Sequence, residues 1–163
     1  MIVVGWALLL GAMLWFFTSW SEREAHPNRN MVSTGAAEMT LARARDGHYY
    51  ADGEINGRRV KFLLDTGATQ IALSLKLANT LGLSLGPAVT MNTAAGPATA
   101  YPTRLARVRL GEIEMQDLGA VVAEGMADDA VLLGMNFLKR LELVQRGDHL
   151  TLRPPAAAGA AAR

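Results

Sequence analysis

The chain has 163 residues, 50% of them hydrophobic, with a formal net charge of +1. That length holds one globular domain with appendages, since a domain takes roughly 100–150 residues, and no basic block or stripe marks a nucleic-acid partner. Cysteine is absent, which excludes disulfides, thiolate metal sites and Cys nucleophiles while leaving the compartment open.

Residues 1–20, MIVVGWALLLGAMLWFFTSW, carry no charged side chain, and Glu22 is the first. At about 1.5 Å per residue they span a hydrocarbon core of about 30 Å. Trp15 and Trp20 lie towards one end, where indoles favour the interface. A cleaved signal peptide is the rival reading, but there is no basic leader segment and Thr18-Ser19-Trp20-Ser21 makes a poor cleavage site. The expectation is a single N-terminal transmembrane helix. Arg23 and Arg29 behind it lean weakly towards a cytoplasmic C-terminus and do not decide the orientation.

Residues 21–38 (SEREAHPNRNMVSTGAAE) are polar and unpatterned, with Pro27 and Gly35, and read as a flexible stem. Residues 39–153 form the expected folded unit, and 154–163, Pro154-Pro155 and an Ala-rich run, a disordered tail. Within the unit, turn signals punctuate short apolar runs at Asp46-Gly47, Asn56-Gly57, Gly111-Glu112 and Arg146-Gly147-Asp148. Asn-Gly between strand-like runs is the strongest of these. Four hairpins predict an all-β domain, closed or sandwich-like. Arg-Gly-Asp at 146–148 reads as a turn, and the Arg104, Arg107, Arg109 and Arg58, Arg59, Lys61 runs as solvated strand faces. Two short helices are expected, Ser74–Leu81 with Ser74 as N-cap and Gly82 behind it, and Asn136–Leu141.

The chemistry concentrates in Phe62-Leu63-Leu64-Asp65-Thr66-Gly67-Ala68. An apolar strand runs straight into an acid, followed by a glycine. Ionisable groups are expelled from apolar strands unless paired or hydrogen-bonded, so Asp65 is displayed at a partly dry site or caps a turn. Val131-Leu132-Leu133-Gly134 is a second apolar run ending in glycine. Between the two lies MNTAAGPATAYP, a small-residue stretch with Gly96-Pro97 that reads as a mobile hairpin.

This order resembles the retropepsin-like aspartic proteases, with their apolar-apolar-Asp-Thr-Gly-Ala segment, flap hairpin, and apolar-apolar-Gly leading into a short helix. The look-alikes are the bacterial single-domain, membrane-anchored members, and the resemblance covers about Met39 to Arg153. It implies a closed β-barrel protomer with one or two short helices, working as a homodimer on protein or peptide substrates without metal or cofactor. Asp65 matches the catalytic aspartate, and Thr66 the residue whose hydroxyl braces the paired loops. Gly67, with Ala68 behind it, matches the glycine lying close under the carboxylates. Gly96 matches the flap tip, and Gly134 the glycine packed beside the active-site loop. The resemblance also implies a catalytic domain on the periplasmic face. Two departures stand out: where viral relatives carry an acid and an Arg that pair near the dimer interface, this chain has Thr69 and Met135.

Other catalytic classes lack support. There is no P-loop, and His26, His48 and His149 lack metal-ligand spacing. Ser74-x-Lys76 reads as an N-cap beside a surface Lys, and Asp128-Asp129 as solvated turn residues. Two rival functions stay open, a catalytically silent module of the same fold that dimerises or binds peptides, and a merely structural membrane-anchored β-domain.

Overall fold

The computed structural model describes Asn28 and residues 38–93, 96–127 and 130–155. The expected span 1–20, most of the stem, Asp128-Asp129 and the tail beyond Pro155 lie outside the described residues. Among the described residues no helix is long and apolar enough to cross a membrane.

Ten strands and two short helices are described: β1 (Met39–Ala42), β2 (Tyr50–Ile55), β3 (Arg58–Leu64), β4 (Ile71–Ser74), α1 (Leu75–Leu81), β5 (Val89–Thr93), β6 (Gly96–Leu110), β7 (Ile113–Ala123), β8 (Val131–Leu133), α2 (Met135–Leu138), β9 (Glu142–Arg146) and β10 (His149–Arg153). The larger sheet runs β2-β3-β8-β4-β7-β6-β5, and β2 also pairs with β6. That extra pairing, Glu54 opposite Arg109 and Ile55 opposite Val108, closes β2 to β6 into a barrel and leaves β5 outside it. Closure removes the open sheet edges that unpaired strands would present. The interior is filled by alternate residues of the strands, among them Ile55, Phe62, Ile71, Leu73, Leu105 and Val108, all fully buried.

Three of the four expected turns make hairpins. At Asn56-Gly57 both residues have positive φ, 51° and 81°, the twist that joins β2 to β3 most directly. Asp46-Gly47 does not make one. The turn closes locally, with Ala44 N–H on the His48 carbonyl at 2.8 Å, but β1 then leaves β2 and pairs with β10 in a separate sheet ordered β1-β10-β9. Leu41 sends its side chain into the core beside Leu150 and Leu152, and that burial overrides the local hairpin.

Helix α1 matches expectation. The Ser74 hydroxyl accepts from Leu77 N–H at 3.1 Å, and Gly82 ends the helix at φ 67°. Helix α2 begins one residue earlier than expected and is shorter, because beyond Leu138 the chain tightens into i to i+3 turns. Among the described residues, Asn28 of the stem is docked. Asn28 is buried, and its side-chain amide bonds Ala42 N–H, the Ala42 carbonyl and the Tyr50 carbonyl at 2.9, 2.8 and 2.9 Å.

Candidate active site

Strands β3 and β8 lie parallel, with Phe62 opposite Val131, Leu63 opposite Leu132 and Leu64 opposite Leu133. The two apolar runs are thus side by side in the barrel wall, and both leave it at the same level. There one emits Asp65 and the other Gly134. Asp65 N–H donates to the Leu133 carbonyl at 3.2 Å, a last rung that holds the acid at the strand end. The residue is half-buried, while Thr66 and Gly67 behind it are exposed.

The carboxylate is oriented from below. Gly67 N–H donates to Asp65 Oδ1 at 2.8 Å, a charge-assisted bond that fixes one oxygen. A Cβ on Gly67 would lie 3.1 Å from that same oxygen, so a side chain there would push against the group it supports. The Thr66 side chain makes no hydrogen bond among the described residues and projects into solvent in the single chain.

The loop is stitched to the second motif by backbone bonds. Met135 N–H donates to the Ala68 carbonyl at 2.8 Å and Asn136 N–H to the Thr69 carbonyl at 3.1 Å. A Cβ on Gly134 would run into the Gln70 and Ala68 carbonyls, which is why this position is glycine. Where Thr69 and Met135 replace an acid and an Arg, these main-chain contacts supply the local connection within the chain.

Asn136 escaped the sequence reading. Its side chain accepts from Ile71 N–H at 3.1 Å and donates to the Gly119 carbonyl at 2.7 Å, tying the exit of the Asp65 loop to β7. An Asn at the start of a short helix was the one available signal, and it points equally well to a solvent-facing cap.

Strands β5 and β6 form the hairpin expected between the two motifs, with Val89 opposite Ala100 and Thr93 opposite Gly96. Gly96 stands at the closing pair with φ 111°, one position past the tip residues 94–95, which lie outside the described set. At its base the hairpin packs on a small apolar cluster of Ala72, Ala100 and Val121, with Met91, Met126 and Leu132 against it. Leu132 belongs to β8, the strand that ends beside Asp65. A groove of about 550 Å³ lined by Leu83, Leu85, Pro102 and Arg104, among others, lies elsewhere, and Asp65 does not line it. Among the described residues no group of acids and histidines is placed to hold a metal ion.

Residues 51–140, carrying both motifs and the hairpin, match the family model described as "gag-polyprotein putative aspartyl protease". The chain belongs to the retropepsin-like aspartic proteases. A retropepsin-like aspartic protease of solved structure from Rickettsia conorii is 33% identical, with a TM-score of 0.61 over 75% of this chain and all of that one. The "uncharacterized protein in cobV 5'region" of Sinorhizobium sp. is 39% identical over 74% of this chain and 54% of its own. The "uncharacterized protein RP867" of Rickettsia prowazekii (strain Madrid E) is 37% identical over 68% of this chain and 48% of its own. The chain therefore spans about half the length of the curated relatives it matches.

Proposed function

We propose that this retropepsin-like chain is a membrane-tethered aspartic endopeptidase in which Asp65 of two copies forms one catalytic site. The observation that carries the reading is the Asp65 loop, a half-buried carboxylate held through one oxygen by Gly67 N–H on an otherwise exposed loop. One chain supplies one such acid. Brought together about a two-fold axis, two carboxylates a few ångströms apart cannot both ionise and hold one proton between them. The ionised member removes a proton from a bound water as the water oxygen bonds to the peptide carbonyl carbon. The protonated member hydrogen-bonds the carbonyl oxygen as charge builds there. Collapse of the tetrahedral species breaks the C–N bond, and the leaving amine takes up a proton. The β5–β6 hairpin and the apolar cluster at its base supply the cover and floor of a cleft for an extended peptide.

Tethering rests on the uncharged run 1–20, and the periplasmic face on the resemblance to tethered bacterial members. A reporter enzyme fused after Arg163 reads the orientation directly, and activity confined to the cytoplasm would reverse it. The test of the chemistry is Asp65→Asn, nearly isosteric but unable to act as base. It is expected to abolish cleavage of a peptide library while the β-sheet circular-dichroism signal is unchanged. Turnover retained by the purified variant sinks the aspartic-peptidase reading.

A further inference from the structure

Asn28 is buried, and its side-chain amide is engaged at both ends. Its two N–H groups donate to the Ala42 and Tyr50 carbonyls, and its oxygen accepts from Ala42 N–H. Asparagine suits this socket. An aspartate would set an anion against two carbonyls, and a serine would leave one of them unpaired. A buried amide so bonded is costly to pull out, so the chain is fastened to the domain at residue 28, ahead of β1, which opens at Met39. The fastening lies beside the catalytic end of the barrel. Tyr50 begins β2 and stands opposite Leu63 of β3, and Leu64 N–H donates to the Tyr49 carbonyl at 3.0 Å. Asp65 is the next residue. Strand spacing and rise put Asn28 roughly 15 Å from it. In the other direction Asn28 is only eight residues beyond Trp20, the end of the uncharged run. Eight residues reach at most about 29 Å, whereas the nineteen from Trp20 to Met39 would reach about 68 Å.

We propose that Asn28 is a latch that shortens the membrane leash and holds the Asp65 end of the domain close to the bilayer, so that its substrates are peptide bonds in the juxtamembrane segments of other membrane-anchored chains. This rests on the tethered-peptidase reading above and adds to it which peptide bonds come within reach. With the latch closed, Asp65 stands no more than about 45 Å from the end of the span. In a shared site two such leashes hold the paired acids. A peptide bond within that height is met at the high effective concentration of two tethered partners, and one held above it is out of reach. With the latch open, the leash is more than about twice as long. It is then paid out from Met39, at the end of β1 away from the Ala42 and Tyr50 contacts, and nothing on it keeps the catalytic end towards the membrane.

The test uses the full chain in vesicles of phosphatidylcholine and phosphatidylglycerol. The probe is the best-cleaved peptide of a soluble library, joined to an inert single-span helix through semi-rigid helical spacers of about 15 or 90 Å. Wild type is expected to cleave the peptide on the short spacer at least about fivefold faster than on the long one. Asn28→Ala should shrink that ratio, and so should a separate variant with a Gly-Ser stretch of about ten residues inserted after Ser21, which lengthens the leash and leaves the latch alone. Both should hydrolyse the free peptide as wild type does, with circular dichroism confirming that they fold. If Asn28→Ala keeps the wild-type ratio while the insertion lowers it, Asn28 does not set the leash. If wild type cleaves on both spacers alike, height does not select the substrate. Either result overturns the latch and leaves the tethered peptidase standing. A full chain that does not float with the vesicles removes the tether itself, and one that floats but cleaves no peptide removes the peptidase.

Discussion

Gly134 sits where two carbonyls close over the chain, and Asn136 two residues on satisfies main-chain groups from two other elements. Gly134→Ala would force its methyl against the Gln70 and Ala68 carbonyls, and overpacking of this kind costs about 1–3 kcal/mol. Asn136→Ala would strand Ile71 N–H and the Gly119 carbonyl, at about 1–3 kcal/mol by the same order of magnitude. Urea unfolding of the purified protein measures both losses, and a midpoint unchanged in either variant would show that the loop relaxes around it. Asp65, Gly67 and Gly134 were legible because an acid or a glycine interrupting an apolar run has few structural excuses. Asn136 was not, because its partners are 65 and 17 positions away in the chain and no local pattern announces them.

Elements were readable where a turn residue alone decides the geometry. Asn56-Gly57 and the Ser74 to Gly82 helix are of that kind, and Ser74→Ala is expected to cost about 1 kcal/mol in thermal or urea unfolding, the usual worth of an N-cap. Asp46-Gly47 shows the limit, since the turn forms as written but burial of Leu41 sends β1 to β10 instead of β2. The Asp46 carboxyl is held below the usual carboxylate range, first by the hydrogen bond from His48 N–H and also by the Tyr50 hydroxyl. A carboxylate depressed in the folded state contributes stability that is present above its unfolded pKa and lost as pH falls through the folded one. Asp46→Asn should therefore lower the unfolding midpoint slightly near neutrality, with the difference from wild type vanishing in acid below the ordinary aspartate range. A gap that widens on acidification would contradict the hydrogen bonds described.

At the scale of the molecule, barrel closure depends on pairings that sequence does not display, the parallel contacts of β3 with β8 and β4 with β7 and the return of β2 to β6. Turn signals register hairpins and are silent on strands joined through other elements. The stem adds a second lesson, since composition marks it as unable to bury apolar surface, yet Asn28 reaches the β1 edge with a donor and an acceptor. A chain begun at Met39 should still fold, its core being intact, but lose those three hydrogen bonds, at about 1–3 kcal/mol. Asn28→Ala in a chain begun before Pro27 should reproduce the loss. The shared site makes the larger prediction. If each copy supplies one Asp65, specific activity of a chain begun at Met39 must fall on dilution as dimers dissociate. If residues 1–20 hold the chain in a bilayer, as proposed, two copies are confined to a thin layer, and the raised effective concentration should make the full chain resist dilution without any new contact. Excess Asp65→Asn subunits should poison wild type in both forms, because a mixed dimer holds one acid where the reaction needs two. Dilution series and mixing titrations read these effects from activity alone. Constant specific activity in a species that sediments as a monomer would leave Asp65 working alone, and a water would then have no second carboxyl to complete its attack.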